Sequence, residues 1–318
     1  ALACVFFGAI SGSGPATTAA VGMLMIPAMI RRGFSKGYAA AAAATAGGVG
    51  IIIPPSIPMV VYAVSGQQSI TKMFLAGVMP GIMIAVGLAA MHLFLCRNMP
   101  VAEDLQSGSG DSLLKALKDG LWSLMAPVVI LGGIYAGICT PVEASVVAVW
   151  YALFVGFFIT KKLSLKEVFN AMKLANISTG TILIVVGVST IFGRFLTMYQ
   201  IPQQLAAQMM LYTTNPILIL LLIAALLFFL GMFMETLATI VVLAPVFLPI
   251  IKSVGIDPVF FGVFWVITNE IALLPPPLGV NLFIAMNLSN LPLERVAKGA
   301  IPYIFPVSYT HLTLPTKA

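Results

Sequence analysis

Charge is what this sequence has least of. Only 8% of its 318 residues are Asp, Glu, Lys or Arg, where ordinary globular chains carry about 25%. Hydrophobic side chains make up 60%, and the mean hydropathy is +1.07. So few ionic groups exclude water as the main solvent and leave no stretch for a sizeable soluble domain. Cysteine is scarce too: Cys4, Cys96 and Cys139 stand far apart, in or beside apolar stretches. That spacing offers neither a disulfide framework nor a zinc site. No catalytic triad, phosphate-binding loop or metalloprotease motif is present, and Ser11 and Ser13 have no histidine or lysine base nearby in sequence, so enzyme chemistry is not expected. The formal charge of +6 does not point to a nucleic-acid partner, because the basic residues lie in short clusters between apolar runs, where they act as topology signals.

What the sequence has in abundance is apolar segments long enough for a bilayer core, which needs roughly 20 residues per helical span. They run from Ala1 to Ile30, Tyr38 to Val64, Gly77 to Cys96, Leu121 to Cys139, Val142 to Thr160, Ile177 to Met198, Pro216 to Ile251 and Val259 to Met286. The fold expected is all-α and polytopic, embedded in a lipid bilayer. Ala1 lies inside an apolar segment without initiator Met, charged leader or cleavage site, so the sequence reads as a fragment and no signal peptide can be identified. Residues 308–318, with His311, read as a non-native tail similar to a translated sequencing adaptor.

Two segments are too long for one span and are interrupted midway. The first breaks at Ser11-Gly12-Ser13-Gly14-Pro15 and the second at Gly231 to Thr236, so each predicts a re-entrant helical hairpin. Two others carry consecutive prolines, Pro54-Pro55 and Pro275-Pro276-Pro277, where a continuous helix would lose hydrogen bonds and clash with its preceding turn. Each predicts a discontinuous helix.

Sliding the sequence against itself by 222 positions aligns these elements without a gap. Phe6-Phe7 meets Phe228-Phe229, Pro27 meets Pro249, Gly33 meets Gly255, Pro54-Pro55 meets Pro276-Pro277, and Gly77 meets Gly299. Alanine and phenylalanine matches are cheap in so apolar a chain, but coincident prolines and glycines at fixed spacing mark an internal repeat. The expected divisions are a first repeat over 1–80, connecting and scaffold helices over 81–215, a second repeat over 216–307 and the tail over 308–318. Five spans separate the loop at Gly33 from the loop at Gly255 if Thr140-Pro141 divides the stretch between them, and an odd number inverts the second copy. The distribution of Lys and Arg agrees: Arg31, Arg32, Lys36, Arg97, Lys115, Lys118, Lys161, Lys162, Lys166, Lys173, Arg295 and Lys298 share one side, and the other keeps only Lys72 and Lys252.

A helix broken inside a membrane frees backbone groups that hydrocarbon cannot satisfy, so they face protein, water or ligand. Half-helix N-termini suit an anion, while unwound carbonyls and C-terminal ends suit Na⁺. The first ion pocket is expected to combine Ser11, Gly12, Ser13 and Gly14 with Gly48, Gly50 and Pro54. The second combines Gly231, Glu235 and Thr236 with Thr268, Asn269 and Pro275. The bland alternative is that the glycines only permit close helix packing. Glu235 and Glu270 could balance a bound cation or pair with Arg194, which could itself snorkel to a membrane face. Glu143 in Thr140-Pro141-Val142-Glu143 reads as a capping box, and His92 as a packing residue rather than a metal ligand.

At these residues the sequence resembles a known family. Ile10 to Ala20, Gly50 to Pro58, Gly137 to Ala144, Gly255 to Pro258 and Pro276 to Phe283 are similar to the large membrane subunit of tripartite ATP-independent periplasmic (TRAP) transporters of the C4-dicarboxylate type. The resemblance implies a Na⁺-driven importer of a small organic acid in a bacterial inner membrane. A periplasmic solute-binding protein and a small four-helix membrane subunit would be its partners, and hairpins and broken helices its moving, elevator-type part. Na⁺ would be the coupling ion, bound at Ser11, Gly12, Gly14, Gly48, Gly50, Gly231, Glu235, Thr236, Thr268 and Asn269. The substrate would meet Ser11, Ser13, Thr17, Pro54, Ser56 and Asn281. A stand-alone ion-coupled anion transporter of similar architecture is the alternative, followed by an ion channel. Three residues depart from the family pattern: Pro275 replaces a threonine, Glu235 an aspartate and Ala272 a glycine.

Overall fold

A computed structural model describes residues 2–97, 113–213, 215–275 and 279–313. The described residues form helices and connections. In chain order they begin with α1 (Leu2–Ser11), α2 (Gly14–Arg31), α3 (Lys36–Gly47), α4 (Ile57–Ser65) and α5 (Ile70–Cys96), continue with α6 (Leu113–Tyr135), α7 (Pro141–Phe154) and α8 (Leu165–Met198), and finish with α9 (Ile201–Tyr212), α10 (Pro216–Gly231), α11 (Thr236–Ser253), α12 (Pro258–Ala272), α13 (Val280–Ser289) and α14 (Leu293–Thr313). Four helical stretches are long and apolar enough to cross a membrane: Ile70–Cys96, Pro141–Ile159, Leu165–Leu196 and Thr236–Ser253. Shorter apolar helices include Leu2–Ser11, Pro216–Gly231, Pro258–Ala272 and Val280–Ser289. At about 1.5 Å per residue these cover only part of a core about 30 Å thick, which is what half-helices and hairpin arms require.

The interruptions fall where the sequence breaks. Helix α1 ends at Ser11 and α2 starts at Gly14, with Gly12 turning between them at a φ of 62°. Helix α3 ends at Gly47, tightens into a 3₁₀ turn over Gly48–Ile51, and gives way to bends before α4. Pro54 lies in that gap. In the second half, α10 stops at Gly231 and α11 begins at Thr236, while α12 stops at Ala272 and α13 begins at Val280. Pro275 sits in this second gap, but Pro276 and Pro277 lie outside the described residues.

The helix starts and caps follow the 222-residue register. Ser13 and Glu235 cap α2 and α11; Ser35 and Asp257 cap α3 and α12. Each cap side chain accepts orphan backbone N–H groups at a helix start. Gly33 and Gly255 take matching positive φ values of 89° and 77°, in the loops that lead into those second caps.

The chain divides into two compact units, residues 1–103 with 189–318, and residues 104–188. In the first, the alanine run of α3, from Ala39 to Ala44, is buried where α2, α5, α13 and α14 pack around it. Side chains this small let backbones approach, which is how membrane helices gain packing when lipid is as apolar as protein. A second block is aromatic: Trp265, Phe261, Phe247 and Tyr62 interlock, and the Tyr62 hydroxyl donates to the Pro258 carbonyl at 2.7 Å, tying α4 to α12.

In the second unit, α6 packs on α7, and the Tyr151 hydroxyl donates to the Trp122 carbonyl at 2.6 Å. Its outward apolar side chains, such as Trp150 and Ile184, are exposed, as expected for a surface that faces lipid. The reading of Glu143 as a cap holds: its carboxylate accepts from the Thr140 N–H at 2.8 Å, while the Glu143 N–H donates back to the Thr140 hydroxyl at 3.3 Å. Ser164 and Glu167 repeat the arrangement at the start of α8, a second S-x-x-E box that the sequence displayed equally openly.

One helix lies outside the expected spans: residues 201–212 form α9, which packs on α11. Gln203, Gln204 and Gln208 interrupt its apolar run, which hides the helix from a search for spans. Helix α14 continues to Thr313.

Candidate functional site

Both hairpin tips and both helix breaks border one cavity of about 90 Å³. Gly12 and Ser13 reach it from the first hairpin, and Glu235 and Thr236 from the second; Ile51 and Ile57 flank it from the first break, and Leu273 and Val280 from the second. The first tip is fastened to the first break: the Ile57 N–H, at the start of α4, donates to the Gly12 carbonyl at 3.1 Å. A side chain on Gly12 would meet the Pro55 carbonyl oxygen at 2.6 Å, so glycine is required here by space as well as by its positive φ.

Behind the first tip, oxygen atoms converge. The Ser11 and Thr17 hydroxyls lie 3.0 Å apart, and both donate to the Ser13 carbonyl, at 3.3 and 2.8 Å. Gly50 faces the same cluster: a Cβ there would run into the Thr17 hydroxyl and stand 3.0 Å from the Ser13 carbonyl. Helix α1 lies directly on this turn, since a Cβ on Gly8 would come within 2.7 Å of the Gly50 Cα. Packing and oxygen convergence thus coincide at Gly50. Hydroxyl and carbonyl oxygens are the donor type that hard cations prefer.

The second set is built differently. Asn269, buried on α12, donates through Nδ2 to the Thr239 hydroxyl at 2.8 Å, and Thr239 donates to the Thr236 carbonyl at 2.8 Å. Asn269 Oδ1 and the Thr236 hydroxyl are buried and have no hydrogen-bond partner among the described residues. Such orphaned oxygens fit a cation better than they fit an apolar core. Gly231 stands beside them, where a Cβ would lie 3.5 Å from Asn269 Oδ1 and 2.7 Å from the Ala272 methyl. Thr268 donates to the Phe264 carbonyl at 2.8 Å, one turn back along α12. The Glu235 carboxylate caps α11, accepting from the Leu237 and Ala238 N–H groups at 2.8 and 3.3 Å.

The residues expected at the substrate fall into separate places. Ser13 borders the cavity, while Ser11 and Thr17 sit behind the tip. Pro54 is buried in the break. Ser56 is buried as well, and its hydroxyl is occupied, donating to the Ile51 carbonyl and accepting from the Met59 N–H at 3.3 Å, so it caps α4. Asn281, in the first turn of α13, is 0% exposed, and neither atom of its amide has a partner among the described residues. It lies against the first hairpin: a Cβ on Gly14 would be 3.4 Å from Asn281 Nδ2. Gly14 therefore belongs to a junction between the two halves, beside Ile51 of the first break.

Sequence reasoning named Glu270 and His92 but missed the group around each. The carboxylate of Glu270 occupies the space where a Gly48 side chain would begin, and the Thr18 hydroxyl does the same at Gly47. The second group surrounds His92, whose Nδ1 lies 2.8 Å from the Tyr38 hydroxyl and 2.9 Å from the Tyr303 hydroxyl, with Cys96 Sγ 2.9 Å from Tyr38. Partners 54 and 211 residues away carry no local signal. No group of three or more His, Cys, Asp or Glu side chains that could hold a metal occurs among the described residues.

Comparison with known proteins gives one consistent result. The family model described as "Tripartite ATP-independent periplasmic transporter, DctM component" matches residues 1–315. The isethionate TRAP transporter permease protein DctMQ of Oleidesulfovibrio alaskensis is 42% identical over 301 residues, covering 95% of this chain and 47% of that protein. The C4-dicarboxylate TRAP transporter large permease protein DctM of Pseudomonas aeruginosa is 37% identical over 303 residues, covering 95% and 71%. The sialic acid TRAP transporter large permease protein SiaM of Vibrio cholerae is 35% identical over 306 residues, covering 96% and 71%. The chain therefore spans about half of the first relative and about seven tenths of the other two. With broken apolar helices gathered around one cavity and a family match along nearly its whole length, the chain belongs to the DctM family, the large multi-pass inner-membrane permease component of tripartite ATP-independent periplasmic transporters.

Proposed function

We propose that this chain forms the transport pathway of a Na⁺-coupled importer of a small organic acid, receiving its substrate from a periplasmic solute-binding protein and working beside a small four-helix membrane subunit. The observation that carries the reading is the meeting of two hairpin tips and two helix breaks at one cavity, with orphaned or clustered oxygens behind each tip. Na⁺ would take the Ser11, Ser13 and Thr17 oxygens on one side and the Thr236 and Asn269 oxygens on the other. The substrate carboxylate would meet the start of α2, which points its positive dipole end toward the cavity; the start of α11 is already capped by the Glu235 carboxylate. Asn281 would supply a neutral hydrogen-bonding group nearby.

A volume of about 90 Å³ equals that of roughly three waters. It accommodates a carboxylate group rather than a whole ligand, so substrate entry requires the tips to part. The acid itself is left open, because relatives at similar identity carry names that specify isethionate, C4-dicarboxylates and sialic acid.

The test is uptake into proteoliposomes holding the permease and a small subunit, with a cognate solute-binding protein and radiolabelled succinate, N-acetylneuraminate or isethionate as probe. Uptake of one probe that needs both an inward Na⁺ gradient and the binding protein is expected. Equal uptake with K⁺ in place of Na⁺ would refute coupling, and uptake without the binding protein would favour the stand-alone transporter.

A further inference from the structure

Glu270 is 2% exposed, and neither carboxylate oxygen has a hydrogen-bond partner among the described residues. Its position is specific: the 222-residue register pairs Glu270 of the second copy with Gly48 of the first, and the carboxylate lies against the face of Gly48 where a side chain would start. The two copies thus touch through equivalent positions, one emptied by glycine and the other filled by an acid. One residue earlier, Gly47 leaves the same kind of room for the Thr18 hydroxyl, which is 0% exposed and also lacks a partner among the described residues. Gly47 and Gly48 stand where α3 passes into the 3₁₀ turn, so the acid abuts the first helix break rather than an ordinary helix flank.

A lone carboxylate is among the costliest groups to place inside a membrane, and it persists there only when something compensates it. A neutral packing role would be filled more cheaply by an apolar side chain of similar volume. We propose that the Glu270 carboxylate is the counter-charge of a monovalent cation bound where the first break meets α12, with the Thr18 hydroxyl as a neutral oxygen ligand and Gly47 and Gly48 providing the space. The site deepens the Na⁺-coupled reading above and rests on it. It adds to the oxygen sets behind the two tips a negative charge that neither the Ser11–Thr17 cluster nor the Asn269–Thr236 pair contains.

The test is equilibrium binding of ²²Na⁺ to the purified permease with its small subunit, for the native chain, Glu270→Gln, Glu270→Asp and Thr18→Val. Glutamine keeps the shape of glutamate and imitates its protonated, uncharged form, so it separates charge from packing. Expected is a rise in the half-saturating Na⁺ concentration of at least about tenfold for Glu270→Gln, with a smaller rise for Glu270→Asp. A Gln variant that elutes as the native protein does and binds Na⁺ with unchanged affinity overturns the proposal. Should that variant fail to fold, Thr18→Val decides: about a threefold weakening supports the site and unchanged binding rejects it. Absence of saturable ²²Na⁺ binding to the native chain would instead reject the Na⁺-coupled reading from which this one follows.

Discussion

Ser13 acts through two different atoms, and that separates folding from ion binding at one residue. Its hydroxyl accepts from the Ala16 N–H at 3.4 Å and caps α2, while its carbonyl receives the Thr17 hydroxyl at 2.8 Å. Replacing Ser13 with alanine removes the cap and leaves the carbonyl, so it should cost about 1 kcal/mol of stability and barely move the Na⁺ dependence of uptake. Ser11→Ala and Thr17→Val each remove an oxygen from the cluster itself. Each should raise half-saturating Na⁺ about fivefold, as expected for the loss of an interaction worth about 1 kcal/mol. Thermal unfolding in detergent reads the first effect and uptake against Na⁺ concentration the second. If Ser13→Ala proves the most damaging to Na⁺ dependence, the hydroxyl and not the carbonyl is the ligand. At this scale the sequence showed which oxygens were available near the tips, but it could not show which were already engaged. Ser56 illustrates the gap: a hydroxyl after two prolines looks free in one dimension, and in three it closes the first turn of α4.

Among the elements, the breaks were legible and the contacts across them were not. Prolines at Pro54-Pro55 and the Ser-Gly-Ser-Gly run forbid a continuous helix for reasons local to the backbone, so the ends of α1, α3 and α4 follow from the residues alone. Helix α9 escaped because glutamines dilute its apolar period, and spans are recognised by length and hydropathy. The Gly48–Glu270 contact was hidden for another reason. A repeat search rewards identical residues, whereas here the two copies meet through a glycine and a glutamate, a complementary mismatch. The hairpins are the elements on which motion is expected to fall, since their tips border the cavity from both sides. With Cys4, Cys96 and Cys139 replaced, Ser13→Cys and Thr236→Cys should be joined by a short, reducible bifunctional thiol reagent. Uptake should stop when the tips are tied and return on reduction. Undiminished uptake by the cross-linked protein would show that the tips need not separate.

The molecule as a whole can work as proposed only if its two copies of one broken-helix element approach the same cavity from opposite membrane faces. The common order of hairpin, broken helix and closing long helix is visible in both halves, and the matched caps Ser13 with Glu235 and Ser35 with Asp257 keep the 222-residue register. If the halves are opposed, half-helix dipoles and freed carbonyls from each side face the same small volume, which suits an anion and its coupling cations together. If they were parallel, both hairpins would enter from the same membrane face and their half-helix dipoles would point the same way. Labelling of Lys36→Cys and Lys252→Cys in a cysteine-free background, with a membrane-impermeant maleimide applied to intact cells and to inverted vesicles, distinguishes the two. With opposed copies, Lys36→Cys reacts only from the cytoplasmic face and Lys252→Cys only from the periplasmic face; reaction of both from one face would show the copies to be parallel.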